Sequence, residues 1–447
     1  MIKKILLLLF SILIILHGLT QTNGTCGAEG NNLLWEFDPD TETLTISGTG
    51  EMADYTSSLT PWYDYRVQIT QIEDGVTSIG SYAFFNCNSL VFISVPNSIT
   101  TIGTGAFSGC TALISIEVEN TNPFYSSENG VLFNREKTNL IRYPAGKSGG
   151  YIIPDNVTSI ARSAFSDCTT LTSLIISNSV TNIEGAAFYG CSALTSVIIG
   201  NNVASIEEYA FSGCTNLASI ITPNSIMSVG EYAFNNTLWY DNQPDGCVYI
   251  GKALYKYKGS MPAFTTIEIQ GGTVSITGSA FYDYTNLASV IIPGSVTSIG
   301  NYAFYGCVGL ISIFCCAVHP PMVGALAFFE VEKSICTLYV PVGSLLYYSH
   351  IAAIGWRDFF FVEENFFFIS TEVPEAAGMA TVYPNPATES FYITGIEENT
   401  PIILSDVSGK VVLHIVVAPK EAVSVAHLPQ GLYIFQVDGM MVKLLKK

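Results

Sequence analysis

The sequence predicts a mainly β protein built as a solenoid of stacked coils. The first observation is a period: the dipeptide Ala-Phe begins at Ala83, Ala106, Ala164, Ala187, Ala210, Ala233, Ala280 and Ala303, and five of the seven gaps are 23 residues. Self-similarity at a fixed short period marks a repeat array rather than one compact core. The second is spacing within the period, where Leu171, Leu174 and Ile176 place their last two members on one face of a strand. The third is composition: 447 residues that are 49% hydrophobic and 12% charged are too many for one ordinary domain and too apolar for a disordered chain.

Each unit reads V-T-x-I-x-x-x-A-F-x-x-C-x-x-L-x-S-I-x-I-P-x-S. Val157-Thr-Ser-Ile160 is a short extended piece, Ser163 to Cys168 a tight corner, and Leu171 to Ile176 the main strand. Pro96, Pro223 and Pro293 close the strand, where a missing N–H does least harm. Five or six buried side chains give a lone unit roughly 10 kcal/mol, but ordering its residues costs about 1–2 kcal/mol each. Neighbours must therefore complete the core. Their strands then form a parallel ladder about 4.8 Å apart, with roughly ten or eleven turns over residues 76–318.

Two stretches replace plain repeats. Gly130 to Phe133 with Leu140 to Tyr143, and Cys247 to Ile250 with Leu254 to Tyr257, each read as two short strands around a polar turn. At the front, Leu33 to Phe37 and Thr43 to Ile46 form a hairpin around Asp38-Pro-Asp-Thr-Glu42, and Trp62 caps the first repeat. Asp38, Asp40 and Glu42 alternate somewhat like a calcium loop, but its Gly and distal Glu are missing. Cys336 to Pro341 followed by Gly343 to Trp356 reads as a closing strand and helix, which an open solenoid end requires.

Lys3 and Lys4 before the apolar run Ile5 to Leu16 read as a secretory signal peptide over residues 1–22. Asn23, Gly24 and Thr25 fit poorly before a lipoprotein cysteine at Cys26. No later stretch is long and apolar enough to span a membrane. Eighteen Lys and Arg against 37 Asp and Glu leave a net charge of −19, which argues against nucleic acid as a partner. The expected order is an N-terminal hairpin cap over 23–75, the solenoid with its C-terminal cap over 76–364, a linker over 365–380 and a small antiparallel sandwich over 381–447.

No catalytic, metal or cofactor-binding residue stands out. Cys87, Cys110, Cys168, Cys191, Cys214 and Cys307 each follow the corner Ala by four residues, a column of small buried apolar groups without metal-ligand spacing. Cys315, Cys316 and Cys336 lie near the C-terminal cap, where one bridge is plausible; Cys26 and Cys247 are unassigned. The five histidines form no zinc motif, and the carboxylates are scattered, so an enzyme is not expected. The positional signal lies on the strands' outward side. One column reads Phe92, Ser115, Ser173, Ser196, Ser219, Ser289, Ser312, and the next Ser94, Glu117, Ile175, Ile198, Ile221, Ile291, Phe314. An aliphatic row facing water is a candidate partner-binding patch at Ile175, Ile198, Ile221, Ile291 and Phe314, unless β-propensity alone placed isoleucine there or an inserted hairpin covers it.

The L-x-x-L-x-I line and the A-F-x-x-C corner resemble the leucine-rich repeat superfamily, and the 23-residue form is similar to its BspA-type branch over residues 76–364. That resemblance implies a surface or secreted protein that recognises other proteins or cells. After Glu364 the order Tyr383-Pro-Asn-Pro386, Ser408-Gly-Lys-Val-Val412, Leu428-Pro-Gln-Gly-Leu-Tyr-Ile434 and a final Lys446-Lys447 resembles a type A sorting domain of type IX secretion. The matching positions are Pro384, Asn385, Pro386, Gly409, Gly431, Tyr433, Lys446 and Lys447. This second resemblance implies export across the outer membrane and attachment to surface lipopolysaccharide, with the type IX machinery as a partner. Together they point to an adhesin-like cell-surface or secreted protein that binds host matrix or another bacterium through the sheet face. The alternative is a coat-forming surface protein that self-associates.

Overall fold

The structure, a computed structural model, describes residues 22–56, 60–65, 67–366, 381–383, 387, 389–394, 399–406, 411–419, 421–437 and 440–446. The signal peptide expected over 1–22 lies outside the described residues apart from Thr22, and the linker expected over 365–380 lies outside them apart from its first two positions. The chain forms two compact units, Met1–Pro244 with Ile250–Lys252, and Asp245–Tyr249 with Ala253–Lys447.

In the first unit, Asn23–Gly27, Gly30–Asp38 and Thr43–Gly48 pair antiparallel as the N-terminal cap. The first of these strands had no signal in the sequence pattern. Ile69–Ile72, Phe92–Val95 and Ser115–Val118 continue the same sheet in parallel. Gly149–Ile152, Leu171–Ile175, Ser196–Ile198 and Ser219–Ile221 form a second parallel sheet in register at 23-residue steps. Behind it the two-residue strands Ser159–Ile160, Asn182–Ile183, Ser205–Ile206 and Ser228–Val229 form another ladder. The first insertion joins that ladder through Asn139–Arg142, with Val131–Asn134 and an unforeseen third strand Tyr125–Glu128 beyond it. It meets the main strand Ser115–Val118, whose Ile116 N–H donates to the Gly130 carbonyl at 3.0 Å, and the outward side chains Ile152, Ile175, Ile198 and Ile221 of the second sheet stay exposed.

The second unit repeats the plan. Thr265–Glu268, Leu287–Ile292, Ser312–Cys315, Thr337–Pro341 and Phe361–Phe366 form its main parallel sheet. The expected closing helix is the short Leu345–Ser349, beside which Trp356 is buried with its indole N–H on the Pro321 carbonyl at 2.8 Å. The tail is antiparallel: Thr381–Tyr383, Ser390–Thr394 and Ala422–Ser424 form one small sheet, and Thr400–Asp406, Val411–Val417, Gly431–Val437 and Met440–Lys446 another. Phe391, Ile402, Leu404 and Leu444 belong to a core of its own.

The corner explains the period. Its two bends are left-handed, at Ala186 (φ 54°) and Gly190 (φ 71°) in one coil and at Tyr209 (φ 56°) and Gly213 (φ 76°) in the next. The second bend is Asn86, Gly109, Asp167, Gly190, Gly213, Asn236, Asp283 or Gly306 in turn, residue types that tolerate this conformation at least cost. The bends turn alternate peptide groups along the stacking direction. The N–H groups of Phe165, Phe188 and Phe211 donate to the carbonyls of Ala187, Ala210 and Ala233, each at 2.7 Å. The rings follow the same path, Phe165–Phe188 and Phe188–Phe211 stacking at 4.8 and 4.9 Å. Alanine is fixed beside them because its side chain is wholly buried with no room for a larger one in a close-packed interior.

Where the motif fails, another residue fills the rung. In the first insertion Tyr143 donates its N–H to the Ala164 carbonyl at 2.8 Å and stacks on Phe165 at 4.8 Å. In the second, Tyr257 donates to the Ala280 carbonyl at 2.9 Å. At the front the Trp62 indole N–H reaches the Ala83 carbonyl at 2.9 Å, and its ring stacks on Phe84. A ninth corner, Ala327-Phe328, escaped the period because it follows Ala303 by 24 residues; Phe304 donates to the Ala327 carbonyl at 2.8 Å.

Phe188→Ala is expected to destabilise the protein by about 3–5 kcal/mol, whereas Tyr189→Ser, one residue on and 45% exposed, changes stability by about 0.5 kcal/mol or less. Urea denaturation followed by circular dichroism measures both.

Candidate partner-binding face

On the second sheet of the first unit, strand alternation sends Leu174 and Val197 into the core and the following residue outward. The outward residues pair in register as Ile152, Ile175, Ile198 and Ile221. They are 65%, 39%, 41% and 59% exposed, so four aliphatic side chains about one strand spacing apart face water side by side. Beside them runs the small polar row Gly150, Ser173, Ser196, Ser219, and Thr195 donates its hydroxyl to the Thr172 carbonyl at 2.9 Å. Nothing in either row can ionise. The face can exclude water and hydrogen-bond weakly, but neither row offers an acid or base that could activate a serine hydroxyl.

Ile152 was not among the expected residues, because its coil opens with Gly149-Gly150 and lacks the leucine line. The signal was Ile152-Ile153-Pro154, which repeats the Ile291-Ile292-Pro293 ending of a regular unit. In the second unit the structure corrects the expectation. Ile291 and Phe314 pair in register on the outward side, but both are only 4% exposed. Phe314 stacks on Tyr339 at 4.6 Å and, with Cys316, these side chains close into a cluster around Ile291. These two residues are not part of an accessible face.

The thiols are structural. All eleven cysteines are free, so no bridge links Cys315, Cys316 and Cys336. Cys110, Cys191, Cys214 and Cys307 donate their Sγ–H to the carbonyls of Phe84, Phe165, Phe188 and Phe281 in the preceding coil, at 2.9–3.1 Å. Burial pushes Cys110 and Cys307 up to about 12, and Cys168 and Cys191 well above the usual thiol range. Buried Arg142 acts in the opposite direction on Cys110 and Cys168 while donating to the carbonyls of Ser163 and Ser166 at 2.7 and 3.2 Å. In the front hairpin the Asp38 carboxylate accepts from the Thr41 hydroxyl at 2.8 Å and the Asp40 N–H at 2.9 Å, contacts that hold its pKa below the ordinary value and close a turn. Among the described residues no cluster of His, Cys, Asp and Glu could hold a metal ion.

In the tail, Gly431 opens a strand and pairs with Lys446, and the buried Tyr433 donates its hydroxyl to the Pro429 carbonyl at 2.8 Å. Pro384, Asn385, Pro386, Gly409 and Lys447 lie outside the described residues. Among the described residues no helix is long and apolar enough to cross a membrane.

Six copies of the BspA type leucine rich repeat region match residues 62–145, 149–261 and 248–318, more than half of the chain. The chain belongs to the BspA-type leucine-rich repeat family. A secretion system C-terminal sorting domain matches residues 381–447. Similar solved structures include a leucine-rich repeat protein from Eubacterium ventriosum, 23% identical with a TM-score of 0.32, covering 69% of this chain and 95% of that one. A leucine-rich repeat protein from Bacteroides ovatus is 20% identical with a TM-score of 0.32, covering 69% and 83%. A comparison with curated proteins finds no match. The repeat matches, not the overlays, carry the assignment. The sorting domain indicates type IX export to the cell surface, so this BspA-type protein is a surface or secreted one. Leucine-rich repeat proteins are generally non-enzymatic.

Because the buried thiols are raised by burial, N-ethylmaleimide at pH 8 is expected to leave Cys110, Cys168, Cys191 and Cys307 unlabelled in the folded protein and to label them in urea. Mass spectrometry of the treated protein checks this.

Proposed function

We propose that this BspA-type protein is an adhesin-like recognition protein, held at the cell surface, that binds a protein of the host matrix or of another bacterium through the open sheet face of its first unit. The observation that supports this most is the in-register row Ile152, Ile175, Ile198 and Ile221. Exposed side chains on a regular ladder cost solubility and add nothing to the core, and contiguous apolar surface of this kind is normally covered by a partner. The serine row beside it supplies adaptable hydrogen bonds without competing charge, as a protein interface uses at its rim. The 381–447 domain delivers the chain through the type IX machinery, after which surface lipopolysaccharide retains it.

The double change Ile198→Asp with Ile221→Asp is expected to abolish capture by extracellular-matrix proteins and by neighbouring bacteria in a solid-phase binding screen. Both positions are exposed, so the circular dichroism spectrum should not change. Binding that survives in the variant contradicts the proposed face. Size-exclusion chromatography of the same two proteins separates the roles: a wild-type monomer fits a recognition protein, whereas an oligomer dissolved by the two changes fits a coat.

Deleting residues 381–447 is expected to remove the protein from the surface of the producing cell and leave it in the periplasm. Immunoblotting of fractionated cells reads the result.

A further inference from the structure

A second surface lies at the corners of the second unit, on residues unlike those of the isoleucine row. Tyr282, Tyr305 and Phe329 occupy the same position in three consecutive coils, the one directly after the corner phenylalanine. Their rings stack outside the core, Tyr282 on Tyr305 at 4.9 Å and 3° and Tyr305 on Phe329 at 5.3 Å and 19°. Tyr302 leans on Tyr305 at 5.9 Å and 60°. Tyr282 and Phe329 are 44% and 46% exposed. In the first unit the same position is Phe85, Ser108, Ser166, Tyr189, Ser212 and Asn235 in turn, so the coil does not need a ring there, and three consecutive rings occur only in the second unit.

Each end of this stack carries a carboxylate, because the left-handed bend beside it is Asp283 at one end and Glu330 at the other. Both are exposed. Glutamate tolerates that conformation less well than the glycine, asparagine or aspartate used elsewhere, so fold requirements alone do not select it. Desolvation first, and then Glu330, Tyr282 and Asp283, raise the Tyr305 pKa above its ordinary value; of these groups only the two carboxylates carry charge near neutral pH. Lys333 donates its ammonium to the Phe328 carbonyl at 3.0 Å, and among the described residues it forms no ion pair with Asp283 or Glu330.

We propose that this aromatic ladder, flanked by Asp283 and Glu330, docks an extended, arginine-bearing peptide segment of a partner protein, with arginines at every third residue. Charge complementarity selects the cation, and a planar guanidinium both pairs with a carboxylate and packs on an aromatic ring. The backbone positions of the two carboxylates are two coils apart, about 10 Å at the usual strand spacing. A polyproline II chain places residues i and i+3 on one side about 9 Å apart and, being preformed, loses less backbone freedom on docking than a flexible chain. Tyrosine-lined surfaces suit such chains because the rings pack on proline while their hydroxyls reach the peptide carbonyls.

The test uses the full chain and two fluorescent peptides of equal composition, Arg-Pro-Pro-Arg-Pro-Pro-Arg and Arg-Arg-Arg-Pro-Pro-Pro-Pro, titrated by fluorescence anisotropy. The spaced peptide is expected to bind at least about 10-fold tighter than the block peptide, and its binding to weaken as salt rises. Tyr282→Ser with Tyr305→Ser should remove that preference, as should Asp283→Asn with Glu330→Gln. Circular dichroism should be unchanged, since serine and asparagine already serve at these positions in other coils and Glu330→Gln keeps the side chain's size and shape. Ile198→Asp should leave peptide binding intact, which separates this site from the isoleucine face. Equal affinity for the two peptides, or retention of the preference in both double variants, overturns the proposal.

Discussion

A coil of this protein cannot close its own backbone. At each corner the left-handed bends direct alternate N–H groups out of the coil, and those of Phe165, Phe188 and Phe211 find their acceptors only on the alanine carbonyls of the next one. An N–H left unpaired inside the protein would cost about 1–3 kcal/mol. The same rungs carry the stacked phenylalanines and the thiols that donate back to the preceding coil. Hydrogen bonding, aromatic packing and cysteine burial therefore all depend on one geometric condition, that neighbouring coils stay in register.

That condition makes the exceptions intelligible. Each unit has to start, and the first carries Trp62, whose indole N–H stands in for a missing backbone donor. The insertions interrupt the sequence pattern but not the rung, because Tyr143 and Tyr257 supply both the ring and the N–H that a corner phenylalanine would. The chain varies what lies outside the rung and conserves the bond across it.

The sequence displayed the period, the inward columns, both insertions and the tail because each is a matter of residue spacing. It hid whatever depends on geometry without a composition signal. The left-handed bends are filled by Ala186 or Tyr209 as readily as by glycine, the Ala327 corner slipped by one residue, and the strand Asn23–Gly27 is short and polar. The outward side was legible as a pattern but not as an exposure. Ile198 and Ile291 hold equivalent positions, yet one is open and the other is packed in a cluster with Phe314 and Tyr339, a difference that lies in the surroundings and not in the residue itself.

A rigid ladder of this kind suits recognition at a cell surface: the scaffold fixes the backbone, so exposed positions can change from serine to isoleucine or tyrosine without altering the fold. Site-resolved amide hydrogen exchange tests the scaffold most directly. The corner amides of Phe165, Phe188 and Phe211 should exchange as slowly as those of the strand residues Leu174 and Val197, because opening either breaks the same stack. Corner amides that exchange at the rate of free turns while the strands stay protected would contradict it.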